Sequence, residues 1–251
     1  MRKIWLRLYS TYGLIVFGGV FLLLSPFFAL AVLNRRWHRQ ALLLNQFWSR
    51  AFLNGMGVPA IVHGKEYLKK NQAYVITPNH FSLLDIALMG YIPKPFVFVG
   101  KDSLAKIPLF GDMFRKLHIT VDRSSLKSRY GAMERSLVAV EEGKSLVMYP
   151  EGGIRTDNPP QLASFKNGPF KVAIEKQIPI VPVTIPFNYI ILPDDGKLLM
   201  RPIRPVLVIH PPIETVGLTS NNVAELKEKT YAIIESELQQ FHNEKSFTYE
   251  N

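Results

Sequence analysis

The sequence predicts an α/β fold: a mixed, largely parallel sheet flanked by helices, with an N-terminal hydrophobic two-helix membrane motif. Three observations carry this. Short apolar runs suited to strands alternate with stretches of helical periodicity along most of the chain. Residues 8–34 form a run of 27 without a charged side chain. A second, amphipathic helical pattern follows at once, over 35–53. A chain of 251 residues accommodates one α/β domain with appended elements. The expected division is 1–57 for the membrane-associated helical motif, 58–242 for the α/β domain and 243–251 for a frayed tail.

Taken in order, the apolar run 8–34 is long enough for a bilayer span. A cleaved secretory signal fits less well, since no small-residue cleavage site with a polar start follows it. Arg2, Lys3 and Arg7 precede the run, and Arg35, Arg36 and Arg39 follow it. Positive charge on both flanks gives no vote for a single crossing and suits two ends on one membrane face. Ser25-Pro26 offers a break, because proline lacks the donor and clashes with the preceding turn. The favoured expectation is a half-inserted helical hairpin broken there. An ordinary transmembrane anchor and a buried core helix are the alternatives.

At about 100° per residue, Trp37, Ala41, Leu44, Phe47, Trp48, Ala51 and Phe52 share one arc of the second helix. Arg35, Arg36, Arg39 and Arg50 fall opposite. Aromatic and aliphatic groups facing arginines describe an interfacial helix; a helix packed on the domain core has the same pattern. The glycines and proline of 55–59 end this region. Strands are expected at 73–77, 96–99, 119–121, 145–149, 180–185 and 206–210. Helices are expected at 83–91, 126–142, 169–176, which opens on Pro169, and 223–241.

Composition narrows the function. The hydrophobic share of 47% and charged share of 20% are those of a globular chain. With no cysteine there is no disulfide framework, no Cys-ligated zinc and no thiol nucleophile. Thirty Lys+Arg against twenty Asp+Glu leave a net charge of +10, which calls for an anionic partner. The six histidines show no metal-ligand spacing, so no metal is expected.

Four segments could carry chemistry. Residues 77–85 read Thr-Pro-Asn-His-Phe-Ser-Leu-Leu-Asp. On a regular helix His80 and Asp85 would lie about 140° apart. They meet only if His80 sits on the turn before the helix. Ser82-x-x-Asp85 is also a capping-box pattern, which gives Asp85 a purely structural alternative. Arg123 closes the strand 119–121, a good position for a phosphate-binding fork; a surface pair with Asp122 is the alternative. Residues 149–155 read Tyr-Pro-Glu-Gly-Gly-Ile-Arg, a strand end with two glycines that lets backbone N–H groups approach a ligand, or else a plain turn. Residues 180–185 hold a strand interrupted by Pro182, which could be simply an edge strand.

Together and in this order, the four segments resemble the motifs of the glycerolipid acyltransferases, specifically the 1-acylglycerol-3-phosphate acyltransferases. Asn79-His80 and Asp85 match the Asn-His-x4-Asp signature. Asp122-Arg123 matches the end of the second motif, with Leu117 where glycine is usual. Tyr149-Pro150-Glu151-Gly152 matches the Phe-Pro-Glu-Gly core of the third, and Val181-Pro182-Val183 the fourth. The family usually continues Glu-Gly-Thr-Arg; here Ile154 stands three residues after Glu151, and Arg155 four.

The resemblance implies acyl transfer from a thioester of coenzyme A or acyl carrier protein to lysophosphatidic acid, giving phosphatidic acid on the cytoplasmic face of the cell membrane, with no cofactor. It implies His80 as general base and Asp85 as its partner. The backbone of Gly152 and Gly153 would face the oxyanion. Asn79 and Glu151 belong to the implied substrate site. Lys101, Arg123, Arg155 and Lys166 would hold the phosphate. An acyltransferase for another lyso-lipid, such as a lyso-aminolipid, is the alternative acceptor reading. A non-catalytic basic membrane-binding protein is the alternative of another class. No nucleic-acid motif accompanies the charge.

Overall fold

The computed structural model describes residues 2–156 and 158–246. Two antiparallel helices, α1 (Arg2–Leu33) and α2 (His38–Gly55), are joined by a 3₁₀ turn at Arg35–Trp37. The sheet follows, with β1 (Ile61–His63), β2 (Val75–Pro78), β3 (Phe96–Lys101), β4 (Ile119–Val121), β5 (Ser145–Val147), β6 (Ile180–Thr184) and β7 (Val206–Ile209). Its helices are α3 (Leu84–Leu88), α4 (Phe110–Leu117), α5 (Leu126–Glu141), α6 (Gly168–Glu175), α7 (Asn188–Ile191) and α8 (Val223–Ser246). The strand order is β1-β7-β6-β2-β5-β3-β4. All neighbours are parallel except β6 and β7. The mixed, largely parallel sheet is therefore as expected.

Parallel strands covered on both faces read as unbroken apolar runs, and β2, β5 and β6 are buried at every position. Pro182 sits in β6, which has partners on both sides, so the edge-strand reading is corrected. Its register pairs it with Thr77, and its carbonyl accepts the His210 N–H at 3.0 Å. The missing N–H costs one ladder position only. Three elements escape sequence reasoning: β1, three residues long, α4, whose eight residues are too short for a clear period, and α7, a single turn of four. α8 runs to Ser246, into the expected tail, and 247–251 lie outside the described residues.

The expected break at Ser25-Pro26 is absent: α1 is one helix through Pro26. Proline deprives the Leu22 carbonyl of its donor four residues on. The Ser25 hydroxyl takes that carbonyl at 2.8 Å, so the helix continues. The two-helix motif is made by α1 and α2 instead. Tyr9 and Tyr12 donate to the carbonyls of Met56 and Gly55 at 2.9 and 3.0 Å, and Trp48 Nε1 donates to Phe17 at 2.9 Å. Of the anticipated arc, Ala41, Trp48 and Phe52 of α2 are buried, while Phe47 of α2 and Trp37 of the 3₁₀ turn stay exposed. Gln46 and Ser49, both polar, lie on the buried side. Gln46 reaches the carbonyls of Ile92 and Lys94, and Ser49 that of Ala87. The helix is thus bolted to the α/β domain as well as to α1.

Candidate active site

The site lies beyond the carboxyl ends of β2, β3, β4 and β5, where an open α/β sheet leaves its loops free to line a crevice. β2 ends at Pro78, and the chain turns sharply before α3. Asn79 locks that turn. Its amide accepts from the Ile185 N–H at 2.7 Å and donates to the Ile185 carbonyl at 3.0 Å, tying β2 to the end of β6. Asn79 is fully buried and does not face the cleft. Its part is positional, which corrects its expected place among substrate contacts.

His80 follows on the turn and Asp85 in the first turn of α3, the one arrangement that lets residues five apart meet. His80 Nδ1 lies 3.1 Å from Asp85 Oδ2. The same oxygen accepts the N–H groups of Phe81 and Ser82 at 2.7 and 2.8 Å. Asp85 Oδ1 accepts from Asn188 Nδ2 at 2.9 Å. The capping role and the dyad role therefore belong to one carboxylate. Ser82 Oγ accepts from the Leu84 N–H at 3.1 Å and donates to the Leu192 carbonyl at 2.6 Å, so both residues pin the turn. Asp85 is wholly buried, whereas His80 retains 7% exposure and lines the cleft. With Nδ1 donating to Asp85, Nε2 is left as the basic nitrogen.

Tyr149 covers one face of His80, ring on ring, with centroids 4.0 Å apart and planes 24° from parallel. Its hydroxyl is buried and has no hydrogen-bond partner among the described residues. Burial first, then the Asp85 carboxylate, push the phenol well above its ordinary range, which keeps it neutral. Glu151 is fully buried beneath the turn. Its two oxygens accept the His80 N–H at 2.7 Å and the Ala163 N–H at 3.0 Å. Burial pushes its carboxyl up to about 7 despite those two bonds. Glu151 thus holds the backbone of the histidine and does not line the cleft, a second correction.

The glycines separate in role. Gly152 has φ +78° and its N–H is taken by the Tyr149 carbonyl at 3.1 Å. Gly153 has φ +144°, lines the cleft, and its N–H has no partner among the described residues. Of the expected pair, Gly153 alone has an N–H to give to an oxyanion. A Cβ there would stand 2.9 Å from Arg123 Nη1. Arg123 Nη1 donates to the Gly152 carbonyl, so the guanidinium is braced by the glycine turn. Burial, and then the neighbouring Arg155 guanidinium, lower the Arg123 pKa. Arg155 Nε lies 3.6 Å from the same Cβ position of Gly153, and two guanidinium groups flanking one glycine favour an anion between them.

Asp122 does not pair with Arg123. It accepts from the Ser124 N–H and hydroxyl at 3.0 and 2.7 Å, and the surface-pair alternative fails. Lys101, at the end of β3, lines the same cleft. Lys166 is not among the lining residues: its exposed side chain passes 3.6 Å from the Cβ position of Gly152. Sequence reasoning missed Lys106, Asp194 and Tyr149 as lining groups and Asn188 as the partner of Asp85. Only Tyr149 had a signal, since it opens the third motif. No group of metal-ligating side chains occurs among the described residues.

The cleft encloses about 870 Å³. Leu83, Ile86, Phe98, Leu104 and Phe114 are shared with a second, apolar pocket of about 560 Å³. That pocket runs between α1, α2 and α4, along Phe17, Phe21, Trp48 and Phe110. A polar, basic cleft therefore opens directly into an apolar groove.

Comparison with known proteins bears on the family and the fold. The Acyltransferase family model matches residues 60–186. A 1-acyl-sn-glycerol-3-phosphate acyltransferase of Saccharomyces cerevisiae is 31% identical over 178 residues, 69% of this chain and 58% of that protein. One of Borreliella burgdorferi is 30% identical over 131 residues, 51% of this chain and 52% of its own. One of Chlamydomonas reinhardtii is 27% identical over 168 residues, 66% of this chain. The chain spans 50% to 63% of the length of the first curated relatives it matches. The crystal structure of the 1-acyl-sn-glycerophosphate acyltransferase PlsC from Thermotoga maritima superposes with a TM-score of 0.80 at 23% identity, over 96% of this chain and 98% of the other. That likeness shows the fold; the family model, spanning half of the chain and all four motifs, shows that this chain belongs to the acyltransferase family.

Proposed function

We propose that the protein transfers a fatty acyl group from an acyl thioester, of coenzyme A or acyl carrier protein, to the free hydroxyl of 1-acylglycerol-3-phosphate. The observation that carries this is the juxtaposition in one cleft of the His80–Asp85 pair, the Arg123–Arg155 pair and the mouth of an apolar pocket. The substrates would have the three matching parts: a hydroxyl to deprotonate, a phosphate and an acyl chain. The curated relatives' names point to the same acceptor.

The residues assign the steps. A neutral hydroxyl is a weak nucleophile at neutral pH. His80 Nε2 takes its proton as the oxygen attacks the thioester carbonyl. Asp85 holds the ring in the required tautomer and stabilises the imidazolium that forms. The Tyr149 ring face adds an attractive, desolvated surface for that cation. The Gly153 N–H donates to the oxyanion. Collapse of the tetrahedral species expels the thiolate, which the His80 proton neutralises. No acyl-enzyme is required, because both substrates are held together. Lys101, Arg123 and Arg155 hold the phosphate.

The exposed apolar side chains of α1, among them Ile4, Leu8, Ile15, Leu22, Leu23 and Phe27, support seating of the two-helix motif in a lipid interface. Thioester donors are cytoplasmic, so the reading puts the cleft on the cytoplasmic face. A second acceptor reading has one observation in its favour: Asp194 sets a carboxylate on the same cleft, which would suit the ammonium of a lyso-aminolipid. An acceptor panel with one labelled acyl thioester, read by product mass, tests both. Phosphatidic acid as the dominant product is expected. Preferential acylation of the lyso-aminolipid would replace the first reading with the second.

A further inference from the structure

The apolar pocket beside the catalytic cleft contains one polar feature that neither the proposed reaction nor the fold uses up. Its wall is formed almost entirely by aromatic and aliphatic side chains, yet Asn45 of α2 and His118 lie within it. Ser49 also lines it, but its hydroxyl is spent on the Ala87 carbonyl. His118 stands between α4 and β4. Its Nδ1 accepts the Phe98 N–H at 3.2 Å, and its Nε2 lies 3.2 Å from the Asn45 amide. Burial lowers its pKa to about 3, so the ring is neutral.

The hydrogen bonds then fix one another. A neutral imidazole that accepts at Nδ1 carries its proton on Nε2. That proton needs an acceptor, and the Asn45 amide is the group beside it. The amide therefore turns its carbonyl oxygen to His118, an assignment made from the network as amide orientations are. The NH2 of Asn45 is then left over. Met113 Sδ lies 3.8 Å from the same amide atom that faces His118, so in this orientation it neighbours the carbonyl oxygen and takes neither proton of the NH2. Asn45 is half-buried and lines the pocket, so its remaining donors meet whatever occupies it. A saturated chain offers them nothing and removes their water.

We propose that Asn45, oriented by His118, is a specificity-determining residue that favours an acyl chain bearing a hydroxyl or keto oxygen part-way along its length. The inference rests on the reading of this pocket as an acyl-chain site. The chain could belong to the acyl donor or be the one already present on the acceptor, and the experiment separates the two. A merely structural Asn45, tying α2 to β3 and β4 through His118, would leave chain preference flat.

The test has a binding arm and a turnover arm, both on the full-length protein in detergent. In the first, palmitate and its monohydroxylated isomers compete for a fluorescent fatty-acid probe. In the second, the same chains are offered as acyl thioesters with a saturated acceptor, and then as the acceptor's chain with a saturated donor. At least one hydroxylated isomer should bind roughly ten-fold better than palmitate, since leaving a buried donor unpaired costs about that much in equilibrium constant. The turnover arm in which the preference reappears identifies the chain that occupies the pocket. Asn45→Leu, of similar volume, should abolish the preference while palmitate binding is kept or improved. Equal binding of all isomers by the unaltered protein overturns the proposal without any variant, as does a preference that survives Asn45→Leu. Failure of the acyltransferase reading looks different: the binding preference stands, and no product forms in either turnover arm.

Discussion

At the scale of single residues the reaction hangs on which nitrogen of His80 is free. Asp85 holds Nδ1 while accepting two backbone N–H groups and the Asn188 amide. His80→Ala should lower turnover about 10²–10⁴-fold, the usual cost of a lost general base, with melting temperature little changed. Near-normal turnover in a folded His80→Ala protein would remove the central claim. Asp85→Asn should be severe in both respects. An amide cannot accept from the whole set of donors, and its NH2 faces N–H groups, so activity and melting temperature should fall together. Arg123 offers a sharper discrimination. Loss of a charge-assisted contact costs roughly 1.5–3 kcal/mol. Arg123→Ala should therefore raise the KM for a phosphate-bearing acceptor and leave a dephosphorylated analogue nearly unaffected. Equal losses on both would assign Arg123 to bracing the Gly152 carbonyl alone.

At the scale of elements, what was legible in the sequence was what local chemistry dictates. β4 coincides with its predicted run, and α5 and α6 fall within one residue of theirs at each end, because each has a clear period or a proline start. The histidine and aspartate were readable through the resemblance of four motifs in order; their spacing alone required a turn and left a capping box as the alternative. Asn79 and Glu151 were misplaced for a physical reason. Both lie in the motif that shapes the cleft, but their side chains are consumed by the Ile185, His80 and Ala163 backbone, and no sequence spacing reveals which way a turn points its side chains. Asn188 was invisible, since its contact with Asp85 spans 103 positions. The glycine turn has a testable consequence. Gly153→Ala forces φ +144° on a side-chain residue and drives a methyl to 2.9 Å from Arg123 Nη1. Strain of this kind costs about 1–3 kcal/mol. The variant should lose acceptor affinity through Arg123 and turnover through the displaced N–H, measured as KM and kcat together. Unchanged constants would place the oxyanion donor elsewhere.

At the scale of the whole molecule, buried histidines link stability to pH. His118 and His210 are held neutral by burial, with pKa values lowered from 6.5 to about 3 and about 4. Between those values and 6.5 the unfolded chain binds more protons than the native one, so stability falls as pH drops. The stabilisation is fully present above about pH 6.5 and is lost progressively towards pH 4 and below. Glu151, raised from 4.5 to about 7, acts in the opposite sense over the same window, so the discriminating quantity is a difference: from pH 7 to pH 5 melting temperature should fall more in the unaltered protein than in His118→Phe, each measured against its own value at pH 7. An equal slope in both proteins would remove His118 from the account.

The largest-scale question is how the two-helix motif meets a membrane. Residues Lys3–Leu33 are long and apolar enough to cross one, and at 1.5 Å per residue α1 is roughly 48 Å long. Its contacts argue against crossing. Near one end the Ser10 hydroxyl is buried and accepts the Met200 N–H of the α/β domain at 2.8 Å. Near the other, Phe28 and Ala31 are buried in the same core as Met113, Leu117 and Val140. The helix therefore lies along the domain through most of its length, with α2 returning beside it. A perpendicular crossing would either carry the polar domain into hydrocarbon or strip these contacts away. Lying in an interface, α1 would keep them and turn its exposed Leu8, Ile15, Leu22 and Phe27 to lipid. In that arrangement Lys3 and Arg7 would share a membrane face with Arg35, Arg36 and Arg39, as the positive-inside tendency prefers for both clusters. Single cysteines at positions 4 and 36 should therefore react with a membrane-impermeant reagent from the same side of sealed inverted vesicles. The native chain has no cysteine to interfere. Reaction of position 4 from the opposite side alone would show a true crossing. It would also require the Ser10–Met200 contact to break in the membrane, while leaving the chemistry at His80 as argued.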